Sequence, residues 1–306
     1  MRYGGPEALE VVDVPEVHAG PGEVRLRVHA AAVNPTDTYV RNGDRAAMQK
    51  VDPPPYVPGM DAAGIVDEVG DGVTTGIAVG DRAMAIVVPK GAHGAYRESI
   101  VLPAESVTRA PAGSSHAEAC TIPMNGLTAR MSLDLLGLQP GQVLAVTGAA
   151  GAYGGFMVEL GKAAGLVVVA DASERDNELV RRLGADVVLP RGDDFAARVR
   201  SLHPDGVDGL ADGSVQNELV IPAVRDGGAF TSVRGFLGEP QRDIAFTATF
   251  VTKYFKRHAE LDELRALAEA GRLTMRVAGV HPADRAAEAH RLLEAGGIRG
   301  RQVIEF

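Results

Sequence analysis

The spacing of apolar positions changes once along the chain. In the first hundred residues it is short: Glu23–Val33 (EVRLRVHAAAV) and Gly64–Val69 (GIVDEV) alternate or nearly alternate apolar with polar residues between Gly and Pro, the pattern of half-buried strands. Arg82–Val88 and Ala95–Val101 read the same way, so a small, strongly curved β-domain is expected. From about Ser115 the period lengthens. His116–Leu136 reads as helix broken at Pro123, and a strict alternation follows: strand Val143–Thr147, helix Ala152–Ala164, strand Leu166–Ala170, helix Arg175–Leu183 and strand Asp186–Leu189. Helix Asp194–Leu202, strand Val207–Ala211, helix Gln216–Val224 and strand Ala229–Val233 continue it. Such alternation implies right-handed crossovers and a doubly wound parallel sheet. Helices Ala259–Ala270 and Pro282–Ala295 and strand Arg301–Phe306 close the chain, either extending that sheet or returning to the first domain.

Composition refines this picture slightly. A length of 306 residues suits two domains. The formal charge of −9, without a Lys/Arg run, argues against a nucleic-acid partner. Cys120 is the only cysteine, which excludes a disulfide within the chain. With no signal-peptide pattern and no apolar run near the ~18 residues of a spanning helix, no membrane partner and a cytoplasmic location are expected.

The chemistry concentrates in Val143–Gly155 (VLAVTGAAGAYGG) and in Asp171, which ends LVVVAD. A turn without Cβ atoms at Gly151 and Gly154 lets backbone approach a pyrophosphate, and the helix behind it aims N–H groups and a positive dipole end at the phosphates. The usual first glycine is Ala149, with Gly148 just before it, and Asp171 lies where ribose recognition requires an acid. Gly148, Ala149, Ala150, Gly151, Ala152, Tyr153, Gly154 and Asp171 are therefore candidate nucleotide-binding positions. The alternative is a glycine-rich surface loop between two core strands.

The segments YGGPEALEVVDVP, GPGEVRLRVHAAAVNPTDTYVRNG, PPYVPGMDAAGIVDEVGDGV, GAYRESIVLPA, MNGLTARMSLDLLGLQPGQVLAVTGAAGAYG and PADRAAEAHRLLEAGGIRG run through the chain in one order. In them the sequence resembles the medium-chain dehydrogenase/reductase superfamily, in its zinc-free quinone oxidoreductase branch, the relatives of ζ-crystallin. The resemblance implies an α/β protein with a GroES-like β-rich catalytic domain (residues 1–114 and 249–306) and a Rossmann nucleotide-binding domain (115–248), with the active cleft where they meet. It implies Asn34 near the nicotinamide, Tyr39 facing the substrate, Asn125 and Thr128 lining the pocket, and backbone around Val233–Gly235 bonding the carboxamide. Each has a plainer alternative: Tyr39 as a half-buried aromatic at a strand end, Asn34 as a turn residue, Thr128 as a helix residue bonded to its own turn. Asp37 reads as a local cap and Asp212 as a structural loop residue.

Zinc is not expected. Zinc-bearing members of the superfamily carry a Gly-His-Glu signature where this chain has Gly59-Met60-Asp61, and a thioether cannot replace the imidazole there. Cys120, in EACTIPM, reads as a small core residue rather than a thiolate. The nicotinamide would then carry the reaction, with the protein supplying orientation and polar groups at the developing charge. For the cofactor, the resemblance favours NADP(H), while Asp171 favours NAD(H). Ser173 and Arg175 are kept, but Asp176 stands where NADPH-using relatives carry Lys, and Pro190 replaces a Tyr, with Arg191 after it. Three functions stay open: reduction of a small-molecule quinone, reduction of an activated alkene (enone), and nucleotide binding without turnover. By resemblance the chain is a homodimer joined through its nucleotide-binding domains.

Overall fold

The computed structural model describes residues 3–44, 46–49 and 52–306. The chain forms two compact units, one of Met1–Met124, Phe255–Glu269 and Met275–Phe306, the other of Asn125–Tyr254 and Ala270–Thr274. The limits expected from the sequence were 114 and 248.

The first unit starts with β1 (Glu23–Ala32), in which Val24, Leu26, Val28 and Ala30 are buried and Arg27 is exposed. Strand β2 (Asp61–Val69) runs antiparallel to it, with register shifts at Arg25/Leu26 and Val28/Ala30. Bulges of this kind bend and twist a strand, which produces the expected curvature. Gly64 lies where the strands come closest: a Cβ there would stand 1.9 Å from the Arg27 carbonyl oxygen. Strands β3 (Arg82–Ile86), β4 (Ser99–Pro103) and β5 (Val107–Arg109) pair with β2, β1 and β3 respectively. The three residues of β5 are too few to show a period.

Between β1 and β2 lie α1 (Pro35–Asn42) and α2 (Ala46–Gln49). The sequence pattern shows no helix here, because Asn-Pro reads as a turn. The tertiary structure uses it as a helix start: Asn34 is the N-cap, Pro35 follows, Asp37 closes a capping box and Gly43, at φ 90°, ends the helix. Helices α3 (His116–Ala119) and α4 (Pro123–Leu136) then break at Pro123 as expected.

The second unit is built on β6 (Val143–Thr147), α5 (Ala152–Ala163), β7 (Val167–Ala172), α6 (Asn177–Arg182), β8 (Val187–Pro190), α7 (Phe195–Leu202), β9 (Val207–Asp212), β10 (Val224–Ser232) and β11 (Ala245–Ala248). All six strands are parallel in the order β11-β10-β9-β6-β7-β8, over a core that includes Phe195, Val199, Leu210 and Phe230. Strand order reverses between β6 and β9, and ligands of such sheets bind off the carboxyl ends at that switch. The helix expected at Gln216–Val224 is instead two 3-10 turns, Asn217–Leu219 and Ile221–Ala223. Asn217 sits at φ 55°, outside helical geometry, and Pro222 lacks the N–H a longer helix would need.

The chain then returns to the first unit through α8 (His258–Glu269), β12 (Val277–Pro282), α9 (Ala286–Ala295) and β13 (Arg301–Glu305). Pro282 ends a strand rather than opening a helix. It lies on β12, the outermost strand of the order β12-β13-β1-β2-β3-β5, where a missing N–H costs no ladder bond. The return is held by β13 on β1, Ala30 opposite Glu305, and by Asp262 of α8, which accepts from Thr108 Oγ1 at 2.8 Å.

Candidate functional site

In the second unit β6 runs into a turn whose left-handed residue is Gly148, at φ 67°. The alanine in the fingerprint is therefore tolerated: Ala149 needs no positive φ, and its side chain is buried. Gly151 is the N-cap of α5, and a Cβ at Gly154 would meet the Gly148 carbonyl oxygen at 2.2 Å, so α5 packs on the turn as only glycine allows. The N–H groups of Ala152, Tyr153 and Gly154 precede the first bond of the helix ladder, from the Gly155 N–H to the Gly151 carbonyl oxygen at 2.9 Å, and donors so placed at a helix start suit an anion. The Tyr153 side chain is turned into the unit: Ser132 Oγ gives its proton to the Thr128 carbonyl oxygen (2.9 Å), so the phenol donates to Ser132 Oγ (2.8 Å), and burial raises its pKa.

Asp171, near the end of β7, lies under this turn. Its Oδ1 accepts the Ala149 N–H at 3.1 Å, while Oδ2, buried, makes no hydrogen bond and stands 4.0 Å from Arg191 Nε. Burial raises the Asp171 pKa, opposed by the Ala149 N–H, Arg191 and the Gly148 N–H. A buried carboxylate oxygen that lacks a hydrogen-bond donor, beside a glycine turn that leads into the N-terminus of α5, fits a dinucleotide ribose and pyrophosphate. Ser173 donates to Asp176, and Arg175 Nε lies 3.9 Å from the same carboxylate. This grip on two candidate cofactor contacts was not legible in the sequence. Asp212 is the structural residue expected: buried, it accepts from Thr147 Oγ1 (2.6 Å) and from the Asn217 N–H (2.7 Å). Val233 and Gly235 lie in the turn directly after β10. Asn125 and Thr128 are buried on α4, one helical turn apart.

In the first unit Asn34 is fully buried at the start of α1, its Nδ2 donating to Asp61 Oδ2 at 2.6 Å. Asp61 Oδ1 accepts the Met124 N–H at 2.6 Å. Asp37 is the cap expected: its carboxylate accepts the Asn34 N–H (2.8 Å), the Gly59 N–H (3.0 Å) and the Tyr96 hydroxyl (3.1 Å). Burial pushes Asp61 up to about 7 and Asp37 up to about 6, against these donors and the Arg301 charge. The sequence offers only two scattered acids here. Tyr39 is half-buried within α1, not at a strand end. A groove of this unit passing Tyr3, Val11, Tyr56 and Phe306 is lined by none of the residues singled out from the sequence.

Met60 is buried and its sulfur accepts from Thr36 Oγ1 at 3.2 Å. Among the described residues no group of three or more His, Cys, Asp or Glu side chains could hold a metal ion. Cys120 is fully buried, its Sγ donating to the Ala117 carbonyl oxygen at 3.3 Å, and burial pushes the thiol up. It is a core residue.

Residues 20–112 match the alcohol dehydrogenase GroES-like domain, and residues 183–304 match a domain described as zinc-binding dehydrogenase. A 2-haloacrylate reductase of a Burkholderia species is 31% identical over 99% of this chain and 95% of its own length. The chain belongs to the medium-chain dehydrogenase/reductase superfamily. Within the superfamily it is related to the quinone oxidoreductase branch: the quinone oxidoreductase of Sus scrofa is 27% identical over 99% of this chain and 95% of its own. An NAD-dependent alcohol dehydrogenase superposes with a TM-score of 0.84 at 31% identity, covering 100% of this chain and 98% of that one. A mycobacterial protein complexed with NADPH does so with the same TM-score at 28% identity and the same coverage. The superfamily's oxidoreductases are nicotinamide-linked, and so is this chain.

Proposed function

We propose that the chain is a zinc-independent oxidoreductase that delivers hydride from a nicotinamide nucleotide to a small-molecule quinone. The observation that carries this reading is the Gly148–Gly154 turn with Asp171 beneath it, whose buried Oδ2 has no hydrogen-bond donor. It is supported by the state of the other reactive groups: Met60, which the resemblance sets where zinc-bearing members carry a histidine, is a buried thioether accepting from Thr36, and the only thiol is buried and hydrogen-bonded. When bound, the dihydronicotinamide supplies the hydride.

The residues of this chain bind and orient. The α5 N–H groups hold the pyrophosphate, Asp171 holds a ribose hydroxyl, and N–H groups around Val233–Gly235 hold the carboxamide. Asp61 holds the Asn34 amide in one orientation, as suits the nicotinamide contact that the resemblance implies for it. The resemblance likewise implies substrate-pocket roles for Asn125 and Thr128. The Tyr39 hydroxyl donates to the acceptor oxygen as negative charge develops there. Hydride to a quinone followed by protonation from water gives the hydroquinone, so no buried acid is consumed.

A second reading, reduction of an activated alkene, is favoured by the 2-haloacrylate reductase among the relatives. There Tyr39 would polarise the carbonyl while hydride reaches the β-carbon. Steady-state oxidation of NADH and NADPH with a quinone panel and an enone panel decides. Quinone turnover at least roughly tenfold faster in kcat/KM supports the proposal. Faster enone turnover replaces it with the second reading, and tight nucleotide binding with no acceptor turned over would make the chain a binding protein.

A further inference from the structure

A 2′-phosphate needs donors beside the ribose, and the chain offers three next to Asp171: Ser173, Arg175 and Arg191. None is without a carboxylate. Ser173 has one hydroxyl proton and gives it to Asp176 Oδ2. Arg175 Nε stands 3.9 Å from that same oxygen. Arg191 Nε stands 4.0 Å from Asp171 Oδ2. Asp176 is itself buried at 6% exposure, and its N–H returns to the Ser173 carbonyl oxygen at 2.8 Å, which fixes the 3-10 turn Glu174–Asp176 over the hydroxyl.

Resting on the reading of the glycine turn as a nucleotide site, we propose that Asp176 is a specificity-determining residue that, with Asp171, selects NADH and rejects the 2′-phosphate of NADPH. The phosphate would meet two buried carboxylates, and like charges in a partly desolvated site repel strongly. It would also have to take the Ser173 proton from Asp176. A ribose 2′-hydroxyl does the opposite, giving Asp171 Oδ2 the proton donor it lacks. This runs against the NADP(H) preference that the family resemblance favours.

The test is equilibrium binding of NADH and of NADPH, by calorimetry or quenching of nucleotide fluorescence, to the wild type, Asp176→Asn and Asp171→Ser. The wild type is expected to bind NADH more tightly. Asp176→Asn should shift the ratio of dissociation constants roughly tenfold toward NADPH by removing the carboxylate charge beside Ser173 and releasing Arg175 from its ion pair, and Asp171→Ser should shift it the same way. A wild type that binds NADPH as tightly as NADH overturns the inference without any variant. An Asp176→Asn ratio within about twofold of the wild-type ratio overturns it too. Failure to bind either nucleotide overturns instead the reading of the glycine turn, and the two failures are distinct.

Discussion

Asp61 and Asp37 show what single residues do in this protein. Both are buried acids whose pKa values rise above the ordinary aspartate value of 3.8, Asp61 to about 7 and Asp37 to about 6. Burial disfavours their charged forms more than the Met124, Asn34, Gly59 and Tyr96 donors favour them. The folded state then holds a proton that the unfolded state has released between about pH 4 and pH 7. The stability this provides is complete below the unfolded pKa and is lost as pH rises through the folded one. Asp61→Asn removes the titration. Denaturant unfolding across pH 4 to 8 should show the variant gaining on the wild type by on the order of 1 kcal/mol or more as pH rises, whatever constant offset the lost acceptor adds. A pH-independent difference would mean that Asp61 titrates alike in both states. The sequence could nominate Asp37 as a cap from its distance to Asn34, a local fact. It could not show that Asp61 clamps Asn34, because the partner is 27 positions away.

At the scale of elements, the β6–turn–α5–β7 unit was legible because each of its signals is local. Apolar runs bound the strands, and glycines sit where backbone crosses backbone. Gly154→Ala should be costly: the Cβ would lie 2.2 Å from the Gly148 carbonyl oxygen and 2.6 Å from its carbon, both backbone atoms that cannot step aside. A loss of about 1–3 kcal/mol in unfolding free energy and of nucleotide binding is expected. Gly151→Ala, with an ordinary φ of −72° and a single contact at 3.1 Å, should cost clearly less in the same melts. Equal losses would remove the close-approach argument. Helix α1 was missed because Asn-Pro-Thr-Asp satisfies the rules for a turn and for a helix start alike, and only the capping box decides. The misread segments at Gln216–Val224 and Pro282 both contain proline, whose meaning depends on whether its neighbours belong to a crossover or an edge strand.

For the whole molecule, β11 is one of the two outer strands of the six-stranded sheet, β8 being the other, and it is paired through Ala245–Ala248 to β10 and to no other described strand. An edge with open N–H and C=O groups is a template for a second copy, and the resemblance implies dimers joined through nucleotide-binding domains. Light scattering or sedimentation at assay concentration should therefore give twice the chain mass; a monomer mass would end that expectation.

Local spacing by itself determined the parallel α/β half of this protein, its glycine turn and the acid that ends the second strand, because helix and strand periods, tight turns and caps involve residues within a few positions of one another. It also carried the family likeness. Only the tertiary structure decided that the last strand, β13, which the resemblance assigns to the first domain, pairs with β1, that Asp61 is buried against Asn34 and Met124, and that Asp176 occupies Ser173 and Arg175. Those are questions of burial and of which polar groups already have partners, and the packed chain sets both.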